Sequence, residues 1–212
     1  MFIILLILIY HMDERKFFDN LAPTWDANEV LSTPDRVSEI LRYANIKPGE
    51  RVLDLGTGTG VLIPQLAELV GPGGAITAVD YSQRMLDIAI RKNSHIIPTP
   101  TFSNIDFETE TIDGIFDHIL LYCVYPHLHT PIDTLKWLRA VNLAENGIIT
   151  IAFPTDENFI NSIHRQKHSD SDCLPSARQL AETFRQHGLD AVVVKADKDS
   201  YIINISKESY NS

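Results

Sequence analysis

Residues Val52 to Gly60 read VLDLGTGTG, a run that sets closely spaced glycines beside a carboxylate. Gly56 and Gly58 allow backbone turns that residues with side chains resist, and without Cβ atoms they let a ligand lie on the chain; Gly60 lets the following helix pack near the strand. Asp80 follows the last glycine by about 20 positions, the spacing at which such a turn uses an acidic residue to hold ribose hydroxyls. Two ligand chemistries meet this description. A dinucleotide turn reads G-x-G-x-x-G and sets pyrophosphate on a helix N-terminus. Here Val61 stands where the last dinucleotide glycine would fall, and Asp54 lies inside the turn. A carboxylate there opposes pyrophosphate and suits a cation.

Such a turn needs a strand before it and a helix after it. Arg51 to Leu55 is a short apolar strand, and Leu62, Ile63, Leu66, Leu69 and Val70 share one helical face. A second unit repeats the order: Ala75 to Asp80 as strand, Ser82 as N-cap, and a helix from Gln83 to about Lys92 with basic residues in its last turn. Ahead of both, Thr33 and Pro34 start a helix carrying Val37, Ile40, Leu41 and Ala44. Beyond a proline-broken connection through Pro98 and Pro100, Phe116 to Val124 reads as a buried strand and Thr130, Pro131 and Asp133 open a helix through Val141. Gly147 to Phe153 is the next strand. Ser176 and Gln179 form a capping box for a helix that stops at Gly188, and Ala191 to Ala196 with Tyr201 to Ser206 close the chain as a strand pair. Alternating β and α elements predict an α/β fold: a doubly wound, mostly parallel sheet with an antiparallel strand at one edge and helices on both faces. Ligands of such sheets bind beyond the carboxyl ends of the strands.

The pattern D-L-G-T-G-T-G, followed by A-V-D-Y-S at the second strand, resembles the class I S-adenosylmethionine-dependent methyltransferases over most of Arg51 to Pro154. The resemblance implies a single Rossmann-like domain with a seven-stranded sheet. It assigns residues 1–33 to an N-terminal lid or extension, 34–154 to the cofactor-binding core and 155–212 to a flap and closing strands. It also implies S-adenosylmethionine as cofactor, whose sulfonium and ammonium suit an acidic, glycine-lined pocket. By the same resemblance Asp54 and the turn Gly56, Thr57, Gly58 and Gly60 hold the methionine end, Asp80 takes both ribose hydroxyls, and Tyr81 packs beside the adenosine. Asp106, at the family's offset before Phe116, accepts from the adenine amino group with Phe107 flanking the ring, and Tyr122 completes the cofactor set. FFDNLAPTWD, Phe17 to Asp26, is similar to the lid segment of many members, loosely those that methylate quinone precursors on carbon; Phe18 and Trp25 read equally well as anchors of an N-terminal helix.

In this fold the carboxyl end of the fourth strand faces the methyl group, so Tyr122 to His129 is the expected acceptor pocket. His127 is the candidate general base, because an imidazole titrates near neutral pH. His129 reads alternatively as a helix cap or a solvent-facing residue, and Tyr122 and Tyr125 as packing residues. Asn161 to Pro175, with His164, His168, Asp170, Asp172 and Cys173, is a candidate flap; it has no recognised ligand spacing, so no metal is expected. The N-P-P-Y type motif that related enzymes use on amide or base nitrogens is absent.

Composition narrows the acceptor. A net charge of -10 over 212 residues repels phosphate backbones, which disfavours nucleic acid and leaves a small molecule. Cys123 and Cys173 are too few and too far apart for a disulfide framework or zinc, which fits a cytoplasmic setting. The apolar start MFIILLILIY is shorter than the roughly 20 residues a bilayer span requires and lacks a signal-peptide cleavage site, so no membrane is expected, and Met12 is an alternative start. The sequence admits a homodimer. It also admits a catalytically inactive S-adenosylmethionine-binding module or partner subunit, and leaves the attacking atom of the acceptor open.

Overall fold

The computed structural model describes residues 14–28, 32–167 and 173–207. The apolar start, Met12, and His168, Asp170 and Asp172 of the candidate flap lie outside them, as does the side chain of His164. Helix α1 covers residues 14–21, a 3-10 turn follows at Ala22–Thr24, and a short α2 covers Trp25–Asn28. Then come α3 (Pro34–Ala44), β1 (Arg51–Leu55), α4 (Ile63–Val70), β2 (Ala75–Asp80), α5 (Gln83–Asn93), β3 (Thr101–Asn104), β4 (Phe116–Tyr122) and α6 (Pro131–Trp137). The chain ends in β5 (Leu143–Phe153), α7 (Glu157–Lys167), α8 (Ala177–Gln186), β6 (Asp190–Asp197) and β7 (Ser200–Ser206). Two expected caps form, Ser82 accepting from the Met85 N–H at 3.2 Å and Ser176 and Gln179 closing a capping box, whereas Thr33 and Thr130 start their helices without a side-chain cap bond.

The strands make one seven-stranded sheet in the order β3-β2-β1-β4-β5-β7-β6. Strands β3, β2, β1, β4 and β5 pair in parallel, and β7 is antiparallel to both of its neighbours, β5 and β6. The reversed strand is therefore slotted next to the edge, and β6 outside it runs with the rest of the sheet. Strand alternation divides the core in two. Val52, Ile76 and Leu120 pack on one face against α3 and α4, through Ile40, Leu41, Leu66 and Val70. Leu53, Val79, Ile119, Leu121 and Ile151 pack on the other against Leu135 and Leu138 around α6 and Leu180 and Phe184 of α8. The chain order reverses between β1 and β4, so their carboxyl ends, with Leu55 opposite Leu121, lie side by side at the crevice where doubly wound sheets bind ligands.

Local departures from the expected elements have local causes. The seventh strand, β3, falls in the connection that Pro98 and Pro100 interrupt; it is an edge strand paired with β2. The helix expected through Val141 widens into a π-helical turn over Leu138–Asn142, and Asn142 donates from it to the carbonyls of Ile112 (2.8 Å) and Gly114 (3.0 Å). Strand β5 starts at Leu143 instead of Gly147 and reaches Phe116 across an irregular register. Strand β4 stops at Tyr122, short of Val124, because Cys123 adopts a left-handed φ of 59°, a conformation that costs energy in a non-glycine residue and turns the chain off the sheet. Among the described residues no helix is long and apolar enough to cross a membrane.

Candidate functional site

The glycine turn leaves β1 at the crevice. Gly56 has φ 67°, and a Cβ there would lie 2.5 Å from Cγ2 of Val124, so the residue must be glycine for the β4 connection to close over the turn. Gly58, with φ 55°, has nothing within 4 Å of the Cβ position and is where a ligand can approach the backbone. Gly60 is held from α5, Asn93 donating to its carbonyl at 3.3 Å. The two positions predict separable defects. Gly56→Ala combines left-handed strain with overpacking, about 2–4 kcal/mol, and lowers Tm by about 5–15 °C. Gly58→Ala costs about 1–2 kcal/mol in stability while obstructing the ligand. Thermal unfolding checks the pair, and an equal loss of Tm in both would contradict the assignment.

Two carboxylates flank the turn from neighbouring strands and share a sheet face, since Asp54 stands opposite Ala78 in the register that carries Asp80. Asp54 is buried and accepts from the Thr57 hydroxyl at 2.7 Å. Burial pushes its pKa up to about 7 against that hydrogen bond, and the charge of Asp80 adds to the rise. Asp80 accepts from the N–H of Ser82 and from that of Gly58, both at 2.8 Å. Burial still pushes it up to about 6, the two backbone donors opposing. Both carboxylates are thus held where a cationic, hydroxyl-bearing ligand would relieve them. Tyr81 is half-buried beside them, its buried hydroxyl without a hydrogen-bond partner among the described residues, and desolvation drives its phenol well above its ordinary pKa.

Asp106 is buried, at 8% exposure. It accepts from the Glu108 N–H at 3.2 Å and faces Arg15 at 4.0 Å. Phe107 is half-buried and packs against the core cluster. Tyr122 joins the α3 and α4 core and gives its hydroxyl to Ser32 at 2.9 Å, so it closes the wall of the crevice.

On the acceptor side Tyr125–His127 form a 3-10 turn after Cys123, and His127 is partly exposed. Phe18 of α1 meets its ring edge-on at 5.1 Å and meets Tyr81 at 6.1 Å, bridging the two halves of the site. His129 is held by Glu108 at 3.1 Å, and the same carboxylate caps α6 through the N–H groups of His129 (2.9 Å) and Thr130 (2.8 Å). Burial raises the Glu108 pKa, but these bonds outweigh it and hold the group below its ordinary value. The N-terminal segment is fastened across the crevice: Asp19 accepts from the Ser82 hydroxyl at 2.6 Å, and Asp26 accepts from Thr59 at 2.6 Å and Lys92 at 2.9 Å. Phe18 also packs edge-on to Trp25 at 5.9 Å, so the anchoring and covering roles coincide. Among the described residues no group of three or more His, Cys, Asp or Glu could hold a metal ion.

A methyltransferase-domain family model matches residues 46–201. The chain belongs to the class I S-adenosylmethionine-dependent methyltransferase family. It is 32% identical over 175 residues to the 2-phytyl-1,4-naphtoquinone methyltransferase of Trichormus variabilis, which covers 78% of this chain and 76% of that protein. Against the 2-phytyl-1,4-naphtoquinone methyltransferase of Nostoc sp. it is 33% identical over 93 residues, 42% of this chain and 41% of that one. Several curated relatives are matched over only about two fifths of their length or less, 39%, 41% and 34%. The fold is that of a SAM-dependent methyltransferase from Aquifex aeolicus, with a TM-score of 0.67 at 21% identity over 84% of this chain and 95% of that one.

The residues fit the cofactor of this methyltransferase family. Gly58 offers open backbone, Asp54 and Asp80 are buried carboxylates under electrostatic load, and Asp106 is a buried acceptor. Binding a cation favours ionised carboxylates, so affinity for S-adenosylmethionine rises with pH as these groups lose their protons. Between pH 5 and pH 7 the expected gain is about 10-fold or more, with proton release on binding. Titration calorimetry in two buffers of different ionisation enthalpy measures it, and affinity constant across that window would contradict it. Sequence spacing missed Glu14, Arg15 and Glu108. The acidic character of Phe17 to Asp26 was the one signal that pointed at Asp19 and Asp26.

Proposed function

We propose that this methyltransferase acts on a small hydroxylated aromatic acceptor of the quinol type, with His127 as the base. The observation that carries the reading is the position of His127: in the turn after β4, at the crevice beside the glycine turn, under Phe18 of the fastened N-terminal segment. A crevice covered by α1 suits a small ring better than a polymer, and the acidic surface disfavours nucleic acid. The relatives named for naphthoquinone methylation support the acceptor class.

When bound, S-adenosylmethionine supplies a methyl group on a cationic sulfur, which an anionic acceptor displaces in line. Asp80 accepts from the ribose hydroxyls, Asp106 from the adenine amino group, and Asp54 balances positive charge at the methionine end. His127 takes the acceptor's O–H proton, which places negative charge on the ring oxygen and on the ring carbons conjugated with it. Phe18 and Tyr81 exclude water, so the anion meets the methyl and not solvent. The test is transfer of labelled methyl to reduced, demethylated naphthoquinones, with duplex DNA and a protein mixture in parallel. Labelling of the quinol alone supports the reading. Labelling of DNA or protein, or cofactor binding without transfer to any quinol, contradicts it.

A further inference from the structure

The described N-terminal segment carries three carboxylates, Glu14, Asp19 and Asp26, and they divide their work unequally. Asp19 and Asp26 fasten the segment to Ser82, Thr59 and Lys92. Glu14 turns instead to two histidines of the acceptor side. Its Oε1 lies 3.5 Å from Nδ1 of His127 and its Oε2 lies 3.7 Å from Nε2 of His129, and Oε2 is buried with no hydrogen-bond partner among the described residues. A buried carboxylate oxygen left without a hydrogen bond destabilises the fold. A group kept at that cost between two imidazoles is placed for what they do.

We propose that Glu14 is the positioning carboxylate of His127: supplied by α1, it accepts from Nδ1–H and leaves Nε2 as the nitrogen that takes the acceptor's proton. At 3.5 Å the pair stands just beyond hydrogen-bond range, and such contacts tighten when substrate fills the site. A carboxylate opposite one nitrogen selects the tautomer and stabilises the imidazolium that forms as the proton arrives. His129, on the far side of Glu14 and itself held by Glu108, fixes the carboxylate in place. Arg15, one residue on, turns to Asp106 and lies 5.6 Å over the Tyr81 ring, leaving Glu14 to the histidines. The base is thereby complete only when α1 covers the crevice, which ties deprotonation of the acceptor to exclusion of water.

This inference rests on the reading of His127 as the base, and its test separates the two. Glu14→Gln and Glu14→Ala are made in the full chain, saturated with S-adenosylhomocysteine, and the imidazole nitrogen-15 shifts of His127 are recorded beside S-adenosylmethionine affinity and turnover. The expected result is a Nδ1–H tautomer in the parent that loses population in both variants, with cofactor Kd unchanged within about 2-fold and kcat lowered about 10-fold or more. Glu14→Asp restores part of kcat. A Glu14-dependent tautomer in a protein that methylates no quinol supports the pairing and sinks the acceptor assignment alone. An unchanged tautomer, or cofactor affinity falling in step with kcat as for a mere anchor of α1, overturns the proposal.

Discussion

Asp80→Ala lowers the affinity for S-adenosylmethionine by about 100-fold or more while leaving the fold in place. A carboxylate offers about four lone-pair sites, and here two are taken by the N–H groups of Gly58 and Ser82. On the proposed reading the remaining two would take the ribose hydroxyls. Hydrogen bonds to a charged acceptor are worth about 1.5–3 kcal/mol each, so losing both costs about 3–6 kcal/mol. Stability suffers less than affinity, because the variant also sheds a buried charge whose pKa is pushed up to about 6. Calorimetry and thermal unfolding on the same preparation separate these terms. A Tm loss beyond about 10 °C, or a Kd within 3-fold of the parent, would show that Asp80 serves the turn and not the ligand. Asp80→Asn keeps one acceptor oxygen and falls between.

His127→Ala lowers kcat by about 100-fold to 10,000-fold and leaves cofactor affinity unchanged, the range over which a positioned base contributes. The separation is expected because His127 lies in the turn after β4, across the Phe18 ring from Tyr81, with Phe18 5.1 Å from His127 and 6.1 Å from Tyr81. Steady-state turnover with the quinol acceptor, beside calorimetry, measures both quantities. If kcat holds within 3-fold, the ring is a packing partner of Phe18 and the acceptor reaches the site already ionised. The two halves of the site are thereby separable: protonation of Asp54 and Asp80 weakens cofactor binding, whereas removal of the His127 ring slows transfer at saturating cofactor.

The cofactor half of the site was legible because its information is local. VLDLGTGTG joins β1 to its turn within a few residues, and Asp80 lies at the end of the next strand, so spacing alone put Asp54, the glycines and Asp80 at one crevice. Asp106 was reached only through the family's offset before Phe116, and in the structure it is buried. Strand β3 itself was not legible: Thr101–Asn104 has one large apolar residue and follows two prolines, and it is a strand only because the edge of β2 is there to pair with it. The place of β7 between β5 and β6 is likewise a long-range choice. Residues at or after a tertiary contact were the hardest to read. Tyr122 alternates onto the α3 face and ends on Ser32, 90 positions away in sequence, and no spacing rule anticipates that. Glu14 and Arg15 gain meaning only once α1 docks over Tyr81 and His127, and Glu108 only once the 3-10 turn brings His129 and Thr130 to it.

The most direct test of the account is titration of the purified chain with S-adenosylmethionine, S-adenosylhomocysteine and reduced nicotinamide dinucleotide. Micromolar binding of the first two and none of the third is the predicted result, since Asp54, near the end of β1 beside the glycine turn and not inside it as the sequence suggested, favours a cation and opposes pyrophosphate. Binding of the nicotinamide compound alone would contradict the account at its root.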